Sequence, residues 1–176
     1  MKIVDVFDAA REASFQDFKK FYKNVNEADK HVGMNLLCLV VCKDNNWEDR
    51  LKIIEFLIKE KIDINFVSTK DKRNALHFLY FCNYKPSIEF LMKVTELLIR
   101  NGININAKDK FGAIPMKYLI SINKLTTEDL KPVFEFLIGE GADYHQKDNF
   151  DNNCLDYAKQ FSWRNDFVDL VENSKT

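Results

Sequence analysis

Three histidines, at 31, 77 and 145, and four cysteines, at 38, 42, 82 and 154, carry the widest chemical repertoire in this chain. An imidazole can serve as general base or metal ligand, and a thiolate as nucleophile or ligand. Cys38 and Cys42 stand four residues apart in helical-looking text, and with His77 and Cys82 they would supply a four-donor zinc set. Such a set requires all four donors to converge on one point. Cysteine is also among the most commonly buried residues, so the expectation is packing, with no metal and no cofactor. The acidic pairs Glu48-Asp49 and Glu128-Asp129 fall near expected helix starts, where the helix dipole stabilises them. A glycine-rich phosphate loop is absent, since there are only five glycines and they sit at turns. No catalytic residue is expected, and the chain reads as a non-enzyme.

The elements that would position these side chains follow from composition and periodicity. With 176 residues, 46% of them hydrophobic, the chain suits one domain or one short repeat array with a continuous core. Basic and acidic residues number 26 and 27, leaving a formal charge of −1, so no global field draws the protein to nucleic acid or anionic lipid. Only five of the basic residues are Arg, and the abundance of Lys and Asn reads as AT-rich coding. No signal-peptide pattern opens the chain, and the longest apolar run, Leu36 to Cys42, is far short of the roughly 18 residues of a membrane span. Thiols without paired loop spacing fit a reducing compartment. A cytoplasmic protein, monomeric when free, is expected.

One pattern recurs. Ile53-Ile54-Glu55-Phe56-Leu57-Ile58, Val94-Thr95-Glu96-Leu97-Leu98-Ile99 and Val133-Phe134-Glu135-Phe136-Leu137-Ile138 share an apolar signature. Each is followed by a related exit, at Lys61 to Asn65, Gly102 to Asn106 and Gly141 to His145. Helix starts at Asn35, Asn74, Ile114 and Asn153 are 39, 40 and 39 residues apart. Apolar residues at i, i+3 and i+4 give every helix a wide stripe that one helix pair cannot bury alone. Each unit therefore reads as helix, loop, helix and extended turn, stacked on its neighbours.

The Asn74-Ala75-Leu76-His77 start, the stretch Leu98 to Gly112 and Gly141-Ala142-Asp143 resemble the ankyrin consensus over nearly the whole chain. The resemblance implies an all-α ankyrin-repeat solenoid of stacked helix-loop-helix units joined by extended finger turns. It also implies that the His77 ring bonds backbone in a neighbouring turn; the equivalent positions hold Cys38, Lys117 and Asp156. Ankyrin units run to about 33 residues. The longer period here places extra residues between paired helices, around Lys43 to Arg50, Cys82 to Leu91 and Ser121 to Lys131, as lengthened inter-helix loops that form one shelf. Lys61 replaces the usual glycine, and the Phe66 to Arg73 turn is one residue longer than its later counterparts. The domain divides as an N-terminal cap (1–31, with Ser14 as a helix N-cap), repeats at 32–70, 71–110 and 111–149, and a C-terminal cap (150–176).

A solenoid presents a rigid concave face suited to recognising a protein. The turns hold Lys30, Lys70, Lys72, Arg73, Lys108, Lys110 and Lys147 against Asp29, Asp71, Asp109 and Asp148, an excess that would steer an acidic partner. Aromatic anchors expected on the same face are Tyr80, Phe81, Phe111, Tyr118, Phe150 and Tyr157, with His31 and Asn149 beside them. Short stand-alone ankyrin proteins of AT-rich bacteria, some of them immunity proteins that neutralise a toxin, are similar in size and design. The resemblance thus implies a non-catalytic binding module that occludes a partner protein, a cognate toxin domain in the immunity form. A general adaptor or a viral host-interaction protein is the alternative. A nucleic-acid binder would use the same lysines with steep salt dependence.

Overall fold

Helix follows helix along the chain in the computed structural model, which describes residues 2–82 and 85–173. In order they are α1 (Val6–Glu12), α2 (Phe15–Phe21), α3 (Leu36–Val40), α4 (Trp47–Lys59), α5 (Ala75–Tyr80), α6 (Ile88–Arg100), α7 (Pro115–Ser121), α8 (Thr127–Gly139), α9 (Cys154–Lys159) and α10 (Asn165–Asn173), with a 3-10 turn at Ser162–Arg164. The fold is mostly helical. Its only sheet among the described residues is a two-residue antiparallel pairing of β1 (Ala28–Asp29) with β2 (Met34–Asn35). No helix among the described residues is long and apolar enough to cross a membrane.

Capping chemistry sets where the helices begin. The Asn35, Asn74 and Asn153 side chains accept from the backbone N–H three residues on, at Cys38, His77 and Asp156. At the fourth start Ile114 offers no cap; Pro115 at the first helical position removes one donor that would otherwise need a partner. Thr126 and Asp129 form a reciprocal capping box at α8, so Asp129 does serve its helix start. Ser14 caps α2 as expected, accepting from Asp17 N–H.

The long helices end alike. Lys61, Gly102 and Gly141 adopt φ of 62°, 85° and 88°, and the next residues, Ile62, Ile103 and Ala142, return N–H bonds to Leu57, Leu98 and Leu137. Lys61 holds this left-handed turn without glycine's freedom, at a cost of roughly 1 kcal/mol.

Much of the added length proves to be helix instead of loop. α4, α6 and α8 are 13 residues each and begin at Trp47, Ile88 and Thr127, so 47–50, 88–91 and 127–131 are helical where loop was expected. Their first turns carry acidic or apolar residues compatible with an earlier start.

α1 packs on α3, α3 on α5, α5 on α7 and α7 on α9, and each also contacts the helix that follows it. Among the longer partners, α2 packs on α4, α6 on α8 and α8 on α10. All five residues of α3 are buried, whereas α8 buries one stripe through Leu130, Val133, Phe134 and Leu137. One hydrophobic cluster runs from Val6 to Val171, each fully buried Leu, Ile or Phe contributing roughly 1.5–3 kcal/mol.

Two buried arginines tie the end elements down. In α4, Arg50 donates through Nη1 to Ala10 O and through Nη2 to Arg11 O, 2.5 Å, at the end of α1. Arg164 donates to the carbonyls of Leu119, Ile120, Asn123 and Leu125, at 2.9–3.0 Å, around the end of α7. Both are fully buried. A helix C-terminus leaves four carbonyls without intrahelical partners, and a planar guanidinium with five N–H groups can satisfy several at once.

Candidate functional site

The turns joining one helix pair to the next hold the residues that sequence marked for function. In three of them an aspartate opens the turn and folds its carboxylate inward. Asp29 accepts from His31 and Val32 N–H and pairs with Arg11 at 2.7 Å. Asp109 accepts from Phe111 and Ala113 N–H, and Asp148 from Phe150 and Asn152 N–H. Tyr118 and Tyr157 donate their hydroxyls to Asp109 and Asp148. Burial and the neighbouring carboxylate push both phenols up, Tyr157 to about 12, so both remain donors at neutral pH. In the 66–73 turn Ser68 takes the aspartate's place, and its N–H reaches Arg73 O across one residue more than in the Asp109–Ala113 and Asp148–Asn152 turns.

Adjacent turns are joined through backbone. Thr69 N–H donates to Gly33 O, Lys110 N–H to Asp71 O and Asn149 N–H to Phe111 O, at 2.9–3.0 Å. Gly33 and Gly112 allow this approach: their φ values are +70° and +75°, and a Cβ on Gly112 would lie 2.5 Å from Asn149 Oδ1 and 3.0 Å from Asn149 N. A second row runs along the helix exits. Asn65 donates to Gly102 O and accepts from Asn104 N–H, while Asn106 donates to Gly141 O and accepts from Asp143 N–H. These asparagines have structural work beyond anything coding bias explains, and sequence reading missed it.

His77 is fully buried, with Nδ1 accepting from Asn74 N–H at 3.2 Å and Nε2 placed 3.0 Å from Ala113 O in the next turn. The ring bonds neighbouring backbone, as its position in the sequence implied. Burial pulls its pKa down to about 4, so it is neutral at physiological pH. Burial pushes all four thiols up, Cys42 and Cys82 to about 11, which leaves little thiolate. No group of three or more His, Cys, Asp or Glu among the described residues is placed to hold a metal ion.

Three expected contact residues belong to the interior. Tyr80 is completely buried and bonds Thr95 Oγ1 at 2.9 Å. Tyr118 is buried beneath the turn, because its hydroxyl is needed by Asp109. Arg73 is buried too: its guanidinium approaches Asp109 at 3.5 Å, bonds Tyr118 Oη at 3.0 Å and lies over the rings of Phe81 and Tyr118. Buried side chains of this kind hold the array together and offer nothing to a partner. Tyr157 is half-buried, and Lys117, which sequence reading did not select, sits over both Tyr118 and Tyr157 at 4.6 and 4.8 Å. Desolvation lowers the Lys117 pKa.

The remaining candidates face outward. Lys30, His31, Lys70, Lys72, Lys108, Lys110, Lys147 and Asn149 are exposed, as are Phe81, Phe111 and Phe150. Structure brings Phe111 and Phe150 together on neighbouring turn tips, their centroids 6.4 Å apart and their exposures 38% and 65%. Lys30 and His31 stand apart from that pair, on a cleft of about 480 Å³ lined also by Asp5, Phe7, Glu27 and Asp29. No family model matches the chain, and no curated protein matches it.

Proposed function

We propose that this chain is an ankyrin-type solenoid of five stacked units that acts as a non-catalytic protein-binding module in the cytoplasm. Successive helix pairing, left-handed helix exits, inward-turned aspartates and the His77 bridge all support that architecture. The observation that carries the functional reading is the Phe111–Phe150 pair: two large apolar side chains exposed side by side on turns whose backbones are bonded to one another. A pre-organised apolar surface loses little entropy on docking, and clustered aromatics concentrate binding energy. A catalytic reading has less support, because the buried His77 has both ring nitrogens engaged by backbone. On this reading the module acts by covering its partner, and an immunity protein covering a toxin's active site is one form of that action.

The test is affinity capture from the native cell with the wild-type chain and with a folded Phe111→Ser/Phe150→Ser variant. A protein recovered by the wild type, lost with the variant and rebound when purified supports the reading. Equal recovery by both chains overturns it. Inhibition of a captured toxin on mixing supports the immunity form, whereas capture without inhibition removes it.

A further inference from the structure

We infer that the partner docks an acidic-rimmed apolar surface, hydrophobic side chains flanked by carboxylates, onto the turn tips around Phe111 and Phe150. This rests on the binding reading above and adds the chemistry of the partner. The basis is a segregation of charge that composition hides. The aspartates that open these turns face inward while the lysines face out; Asp71 and Asp151 are carboxylates that stay at the tips, each paired with one lysine. Asp109 is buried and saturated by two backbone N–H groups, the Tyr118 hydroxyl and Arg73. Asp148 is committed in the same way to two N–H groups and the Tyr157 hydroxyl. Their charge is spent on holding the turn.

The lysines stay outside. Lys72 and Lys108 are exposed and make no ion pair among the described residues. Lys110 shares its charge with Asp71 at 2.5 Å while lying 5.0 Å over the Phe111 ring. Lys147 meets the exposed Asp151, at 2.9 Å. Phe111 and Phe150 are thus an apolar centre with the Lys110 ammonium against it and further exposed lysines on the same and neighbouring turns. Exposed ion pairs of this sort contribute little to folding and exchange readily for a partner's carboxylates. Such a centre and its lysines match an interface whose apolar anchor is desolvated and whose charges set orientation and encounter rate. The chain's formal charge of −1 supplies no wider field to hold a polyanion or an anionic lipid surface.

The test is an amide-resonance titration of the full chain with three synthetic peptides: Glu-Glu-Leu-Phe-Glu-Glu, its all-Lys counterpart and a hexamer of Glu alone. Heparin and phosphatidylserine vesicles are titrated in parallel. The expected result is that the acidic-apolar peptide shifts resonances of 108–111 and 149–150 and binds at least tenfold more tightly than either other peptide. Its affinity should fall about tenfold in Lys72→Glu/Lys108→Glu and weaken with added salt. Absence of these shifts, preference for the Lys peptide, or a stronger response to heparin or vesicles than to the peptide would overturn the assignment. A captured protein that is lost with the phenylalanine variant but bound unchanged by Lys72→Glu/Lys108→Glu overturns the acidic assignment alone and leaves the binding reading standing.

Discussion

The two edges of the helix array hold neighbouring pairs in register by opposite means. At the turn edge, main-chain bonds do the joining: Thr69 to Gly33, Lys110 to Asp71, Asn149 to Phe111. At the inter-helix edge, side chains do it. Arg50 and Arg164 reach 39 to 45 residues back to carbonyls of the preceding elements, Asp44 accepts from Ser87 N–H at 2.7 Å, and Asn123 donates to Cys82 Sγ. Backbone joining leaves several turn-edge side chains exposed, among them Phe111, Phe150, Lys72 and Lys108, while Lys70, Lys110 and Asn149 also bond the neighbouring turn through their side chains. Side-chain joining consumes the residues at the other edge. A surface can vary for recognition only where its side chains are not also the mortar.

Substitutions at the two edges should accordingly separate stability from binding. The largest loss is expected for Arg164→Ala, which strips a partner from four carbonyls, three of them in buried bonds, and leaves a cavity. Urea unfolding should register about 3–5 kcal/mol, with the C-terminal helices loosening first in hydrogen exchange. A change under 1 kcal/mol would show that the carbonyls find other partners.

Next is the effect of pH through His77. An unfolded histidine takes up a proton near pH 6.5, while folded His77 resists protonation down to about 4 because burial disfavours its charged form. Between those values the unfolded chain binds more protons, so stability is fully present above the window and falls as pH is lowered through it, by up to about 3 kcal/mol. Most carboxylate titration lies lower. His77→Gln should remove most of this slope between pH 6.5 and 4.5, and an unchanged slope would assign it to other groups.

Gly112→Ala should cost about 2 kcal/mol, since it adds a Cβ against Asn149 to the strain of a positive φ. Gly102→Ala is its control: φ is +85° but nothing lies within 4 Å, so about 1 kcal/mol is expected. Equal losses in thermal melts would mean that the turns do not press on one another. Smallest of all is Phe150→Ser, expected to change stability by less than about 0.5 kcal/mol while abolishing partner capture. A large loss of stability would place that ring among the structural residues.

Local chemistry made much of this legible. The helix starts at 35, 74 and 153, the glycines ending α6 and α8 and the longer 66–73 turn act within a few residues, so spacing reveals them. His77 could be placed because its role is positional. What stayed hidden depends on contacts some 40 residues apart. Arg73 looked like one more turn cation, yet it lies beneath the surface with Asp109 and Tyr118. A signal did exist in composition. Arginine is scarce here, and three of its five occurrences, at 50, 73 and 164, are buried. Where lysine serves for surface charge, the retained arginines mark sites that need a planar, multiply donating fork. The inter-helix insertions were misjudged for a related reason: helical propensity at 47–50 and 127–131 is unremarkable until α4 and α8 have neighbours to pack against.

Amide hydrogen exchange at Thr69, Lys110 and Asn149 would examine the backbone joining of the turns at its three points of contact. If that joining holds the turn edge, all three N–H groups will exchange as slowly as amides within α5 and α7, and Asn149 alone will speed up markedly in Gly112→Ala. Exchange at rates ordinary for exposed loops would mean that the turns move independently, and with them would go the rigid surface proposed for recognition.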